Sequence, residues 1–150
     1  MPLIAKELTR EIIGAFYEVY NALGYGFLES VYVAALVQEL RRRRLFVATE
    51  MPIDVYYKGE RIAVQRLDLV VGAQVIVEVK STRELPTIAL RQLYSYLAST
   101  ELQVGLLLHF GPRATFRRVV SSRRIQPRVA RQRTEPITAS AGAASRKSSG

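Results

Sequence analysis

Residues 66–81, RLDLVVGAQVIVEVKS, constrain this chain more than any other stretch. The runs LDLVV and QVIVEVK are almost continuously apolar and β-branched, with Gly72 between them. Sequence of that kind forms strands covered on both faces. Yet these strands carry Asp68, Glu78 and Lys80. A buried charge costs several kcal/mol unless it is paired or coordinated. The fold therefore has to place two carboxylates and an ammonium in its most hydrophobic region and satisfy them there.

The flanking sequence supplies the layers that would cover such strands. Apolar residues at Ile4, Leu8, Ile12, Phe16, Val19 and Leu23 keep a helical period over 4–23, ended by Gly24. A second helix is expected from about Leu28 to Arg44, with Val31, Tyr32, Ala35, Leu36 and Leu40 inward. Its RRRR end puts cations where a helix C-terminus favours them, as a solvated end or a phosphate-contacting patch. From Phe46 the period shifts toward two: MPIDVYY, RIAVQRLDLVV and QVIVEVK read as strands, with turns at 58–59 and 71–73. ELPTIALRQLYSYLAST reads as a third helix with Pro86 near its start and Ile88, Leu93 and Leu97 inside. VGLLLHF is a short buried strand, and TFRRVV a last, edge strand. The expected order is α-α-β-β-β-α-β-β.

Side chains two apart on a strand share a face, so Glu78 and Lys80 project together, away from Val77 and Val79. Whether Asp68 joins them depends on register. A two-residue loop at 72–73 sets Asp68 opposite Val77 and away from Glu78. A three-residue loop, Val71-Gly72-Ala73, sets it opposite Ile76 and diagonal to Glu78, with both carboxylates leaning toward one point. Two carboxylates with water suit a hard octahedral cation, Mg²⁺ or Mn²⁺. A neighbouring lysine can orient or deprotonate a water and stabilise charge at phosphorus. That set suits phosphodiester hydrolysis. A surface face on which Glu78 and Lys80 form an ordinary ion pair of little consequence would account for the same pattern.

Two further places bear on the choice. Glu29, in GFLESVY, has Tyr32 and Leu36 as helical neighbours and so points toward the apolar side; it also suits the first turn of a helix dipole. Gln92 and Tyr96 lie four apart on the third helix, hence on one face. They could contact phosphate or a base, or form the polar rim of helix-to-sheet packing. His109, at the end of a core strand, reads as structural.

Composition excludes several classes. The 150 residues are 49% hydrophobic, enough for one domain with a core. The absence of cysteine removes disulfides and thiolate metal sites and fits a reducing compartment. No apolar run approaches a membrane span, and MPLIAKELTR has no secretory pattern, so a soluble cytoplasmic protein is expected. The formal charge is +9, but residues 121–150 alone carry +6, which leaves +3 on 1–120. That segment is rich in Ser, Ala, Arg and Pro and poor in large apolar residues, so 1–120 is expected to fold and 121–150 to be a basic disordered tail.

Taken together, Asp68, Glu78-Val79-Lys80 and Gln92-x3-Tyr96 resemble the PD-(D/E)XK nuclease superfamily. The upstream Gly26-Phe27-Leu28-Glu29-Ser30-Val31-Tyr32 resembles the signature of one bacterial branch of it, the GxxExxY proteins. The resemblance implies a restriction-endonuclease-like α/β (α+β) fold, an αβββαβ core with a central mixed sheet flanked by helices. It implies Asp68 and Glu78 as ligands of Mg²⁺ or Mn²⁺, with Glu29 as an additional acid. Lys80 would be the water-positioning base, and Gln92 with Tyr96 would complete the rim toward substrate. Leu67 stands where the superfamily's name has proline, and Ala89-Leu90 where many relatives carry a His-Glu pair.

The function so implied is hydrolysis of nucleic-acid phosphodiesters, with DNA preferred to RNA and no membrane partner. Two alternatives stand beside it. One is a catalytically silent nucleic-acid-binding module of the same fold, supported by Arg41–Arg44, Arg117-Arg118 and the basic tail. The other is a protein-interaction accessory subunit.

Overall fold

The computed structural model describes residues 5–121. Ile4 and all of the expected tail except Ser121 lie outside the described residues. Eight elements follow in the expected order: α1 (Lys6–Leu23), α2 (Glu29–Arg42), β1 (Val47–Tyr57), β2 (Glu60–Val71), β3 (Val75–Lys80), α3 (Thr87–Ala98), β4 (Val104–Phe110) and β5 (Ala114–Val120). The strands form one mixed sheet in the order β1-β2-β3-β4-β5. β3 and β4 are parallel, and the other neighbours are antiparallel. A parallel pair needs a crossover, and α3 supplies it. β5 is an edge strand, as its sequence suggested.

Helices cover both faces of the sheet. On one side α1 and α2 bury Ile12, Phe16, Tyr32 and Leu36 against Leu69, Val77, Val79, Leu106 and Leu108. Phe110 anchors this layer, with Tyr32 stacked on it at 4.2 Å and Phe16 edge-on at 4.7 Å. On the other side α3 buries Ala89, Leu93, Tyr96 and Leu97 against Val70, Ile76 and Leu107. Burial on both faces explains why β3 and β4 read as unbroken apolar runs. Arg43 ties α2 to α1 through Glu39 at 3.1 Å and Glu11 at 3.2 Å. One of the four arginines is thereby committed to holding helices together, while Arg41, Arg42 and Arg44 are exposed.

Three local expectations are corrected. Ile88 is 61% exposed, and Ala89 faces the sheet in its place. The inward stripe of α3 is Ala89, Leu93, Tyr96 and Leu97, and Ile88 lies about 100° around the helix from its start. Val31 of α2 is likewise exposed. Finally, the β2–β3 loop is neither 72–73 nor 71–73. Val71 pairs with Val75, so the loop is Gly72-Ala73-Gln74. Gly72 and Ala73 both take positive φ, 59° and 54°, and the Gln74 N–H closes the turn on the Val71 carbonyl at 3.1 Å. Glycine suits the positive φ at 72, and a Cβ there would also displace the end of the Leu8 side chain, 2.8 Å away at Cδ2.

Candidate active site

The corrected loop changes the geometry of the charged strand pair. The β2–β3 ladder runs from Val71↔Val75 through Leu69↔Val77. The next residues in register are Asp68 and Glu78, directly opposed rather than diagonal. The change moves the register by two, so the two side chains still share a face. Backbone pairing gives way to side chains at this point. The Val79 N–H donates to Asp68 Oδ2 at 2.9 Å, and the Asp68 N–H donates to Glu78 Oε1 at 3.4 Å. Each carboxylate therefore caps the neighbouring strand.

Val70 and Ile76, of the same parity, pack under α3, which places Asp68, Glu78 and Lys80 on the α3 side of the sheet. Glu78 is only 6% exposed. Its carboxyl is pushed up to about 8, first by burial and then by the charge of Asp68, against a smaller opposing pull from Lys80. Tyr96 faces the same side of the sheet from α3. Its hydroxyl is raised by burial, and after that by Glu78 and Asp68. Gln92 sits half-buried one turn before it on α3. Among the described residues no ion pair joins Glu78 to Lys80, so the ordinary surface pair is not formed. Lys80 is half-buried at the end of β3.

Glu29 reaches the site region from the opposite side of the sheet. It is exposed, and its Oε1 accepts the Ser81 N–H at 3.4 Å, just beyond Lys80. It is drawn to the end of β3 rather than pressed into the apolar layer. Among the described residues no three acidic, His or Cys side chains group closely enough to hold a metal together. Ser81 also donates from Oγ to the Phe27 carbonyl at 2.5 Å. Sequence reasoning missed this serine; only its position directly after Lys80 hinted at it. His109 is buried in line with Lys80 on the paired strand β4. Its Nε2 lies 2.6 Å from the Thr82 carbonyl. A carbonyl only accepts, so Nε2 carries the proton, and the imidazole holds the loop after β3 in place.

The sequence profile of the PD-(D/E)XK nuclease superfamily matches residues 6–119. The chain belongs to that superfamily. The match spans every element described above, and the mixed five-stranded sheet flanked by helices is the superfamily's fold. No curated protein matches the chain. Among solved structures it is similar to the crystal structure of SSO0001, with a TM-score of 0.51 and 21% identity. The similarity covers 78% of this chain and 59% of that one, and shows a shared fold.

The superfamily's proline position is filled by Leu67, which is fully buried. Ala89, where the resemblance implied the His of a His-Glu pair, is 1% exposed on the sheet-facing side of α3, so a histidine there would not fit without opening this packing. Superfamily members are usually hydrolytic nucleases that use Mg²⁺ or Mn²⁺. The donor set here fits such a cation. Asp68 and Glu78 offer hard oxygen donors side by side, and the Glu78 carboxyl is raised first by burial and then by the charge of Asp68, both of which a cation would offset. Mg²⁺ is typically held by one or two carboxylates plus water and substrate phosphate, not by an all-protein cage. No helix among the described residues is long and apolar enough to cross a membrane.

Proposed function

We propose that the protein is a divalent-metal-dependent nuclease of the GxxExxY branch, acting on DNA in preference to RNA in the bacterial cytoplasm. Residues 1–120 would be the catalytic domain and 121–150 a basic arm. The observation that carries this reading is the opposed Asp68–Glu78 pair, with Glu78 buried and Asp68 half-buried on the α3 side of the sheet and Lys80 on the same face. Paired carboxylates in an apolar setting are unfavourable for stability alone, and such perturbed groups cluster at functional sites.

Asp68 and Glu78 would hold Mg²⁺ or Mn²⁺, with Glu29 as an additional acid near the end of β3. When bound, the cation supplies Lewis-acid stabilisation of charge on the phosphoryl oxygens. Lys80 would orient the attacking water, take or share its proton and offset negative charge gathering at phosphorus. The Tyr96 hydroxyl and the Gln92 amide, one turn apart on α3, would contact the phosphate backbone. The Val79 N–H bond to Asp68 and the His109 bond to Thr82 keep the strand carrying Glu78 and Lys80 from shifting.

The test is cleavage of single- and double-stranded DNA and of RNA in Mg²⁺ and in Mn²⁺, with the parent beside Asp68→Asn and Lys80→Met. The expected result is cleavage by the parent and a loss of roughly 100-fold or more in each variant. Equal rates for parent and variants, or no cleavage of any substrate by the parent, would overturn the reading.

A further inference from the structure

The segment between α1 and α2, Gly24-Tyr25-Gly26-Phe27-Leu28, exposes large apolar side chains beside the candidate active site. Tyr25 is 45% exposed, Phe27 46% and Leu28 75%. Exposed apolar groups on a loose loop would mean little, but this loop is held at both ends and in the middle. The Gly24 N–H donates to the Tyr20 carbonyl at 2.8 Å. The buried Tyr32 hydroxyl donates to the Gly24 carbonyl at 2.5 Å and accepts the Phe27 N–H at 3.2 Å. Ser81, next to Lys80, donates to the Phe27 carbonyl. Gly24 and Gly26 take φ of 70° and 118°, which lets the chain turn sharply enough to present both rings outward. Phe27 rests edge-on against Tyr32 at 6.0 Å, so its ring is braced from one side and open on the rest.

We propose that this loop is a base-stacking subsite for single-stranded nucleic acid, leading the strand to the Asp68–Glu78–Lys80 centre. The inference rests on the nuclease reading for its direction and adds the substrate class. Flat rings held in place stack on unpaired bases at little entropic cost and without sequence preference. The bases of an intact duplex are already stacked, so only a single strand or a frayed end offers such faces. Cations that could meet a phosphate backbone stand at this end of the sheet, beside the exposed acids Glu29 and Glu84. Lys80 and the exposed Arg83 follow β3, and the exposed Arg113 lies in the β4–β5 turn. That turn is joined to α1 by the Tyr20 hydroxyl, which donates to the Gly111 carbonyl at 2.8 Å. The cations thus approach from the two loops that border the aromatic one.

Binding of a fluorescent oligonucleotide, single-stranded or annealed to its complement, is measured on the full chain without divalent cation, across a salt series. The parent should prefer the single strand. Tyr25→Leu combined with Phe27→Leu, which keeps apolar bulk but removes both flat faces, should weaken single-strand binding on the order of tenfold for each ring removed. The salt slope should stay the same, because every phosphate contact is kept. Phe27→Trp should bind as well as the parent or better. Parent-like binding by the leucine pair, equal weakening for duplex and single strand, or no single-strand binding by the parent would each overturn the proposal. Cleavage by the parent and by the leucine pair, assayed beside binding, separates the two readings. Loop-dependent binding without cleavage by the parent sinks only the nuclease assignment, and cleavage indifferent to the leucine pair sinks only the subsite.

Discussion

A carboxyl group buried beside a second carboxylate, as Glu78 is beside Asp68, ionises at a cost unless a cation answers it. In cation-free protein its pKa stands at about 8, against an ordinary 4.5. Between those values the folded state binds more protons than the unfolded chain. The stability Glu78 contributes is therefore complete below pH 4.5 and is lost as pH rises through about 8. The cation-free protein should melt at a lower temperature at about pH 8 than at about pH 5. The stability difference should be on the order of a few kcal/mol, since a proton held across one pH unit is worth ~1.4 kcal/mol. Glu78→Gln should flatten that profile. Mg²⁺ or Mn²⁺ at about pH 8 should raise the melting temperature of the parent and leave Asp68→Asn unmoved. Tyr32 is a second pivotal side chain, because its hydroxyl bridges Gly24 and Phe27. Tyr32→Phe should cost about 1–3 kcal/mol in denaturant unfolding and loosen single-strand binding at the loop above it.

Elements were more legible than the angles between them. The order of helices and strands follows from periodicity, Gly72 and Pro86, and every expected element forms. The phase of α3 did not follow. Ile88, Leu93 and Leu97 looked like the inner stripe, but the sheet selects Ala89, Leu93, Tyr96 and Leu97. The reason lies in β4, where Gly105 lets α3 approach so closely that an added Cβ would meet Leu93 Cδ1 at 2.7 Å. Close approach leaves room for alanine at 89 and turns Tyr96 toward the face that carries Glu78. Gly105→Ala should therefore push α3 outward, with a loss of about 1–3 kcal/mol of stability. Cleavage should drop along with it if Tyr96 contacts substrate, which melting curves and rate measurements on the same preparation will check.

At the scale of the whole molecule, the sheet divides two apolar layers and the candidate site opens where its strands end. Asp68, Glu78 and Lys80 face α3, whereas Glu29 and the aromatic loop come from the α1–α2 layer. Ser81 joins the two by bonding Glu29 and Phe27. Charge is unevenly spread as well, with +6 of the formal +9 on residues 121–150. Removing residues 122–150 should lower affinity for nucleic acid at low salt. It should also reduce the slope of log affinity against log salt by roughly 0.7 for each single-strand phosphate that the arm had neutralised. The preference for single strands should survive, because it belongs to Tyr25 and Phe27.

Strand faces are a local property with a period of two, and so the sequence by itself determined that Glu78 and Lys80 project together from a buried strand. It also determined the element order and the superfamily match over residues 6–119. Register and depth are not local. The turn at Gly72-Ala73-Gln74, set by positive φ and by Leu8 packed against Gly72, decided that Asp68 stands directly opposite Glu78. Packing of α3 decided that Tyr96 faces the sheet on the side of the pair, and a hydrogen bond between residues far apart in the chain decided that Glu29 meets Ser81 at the end of β3. Those contacts depend on long-range closure of the sheet and helices, which no window of sequence contains.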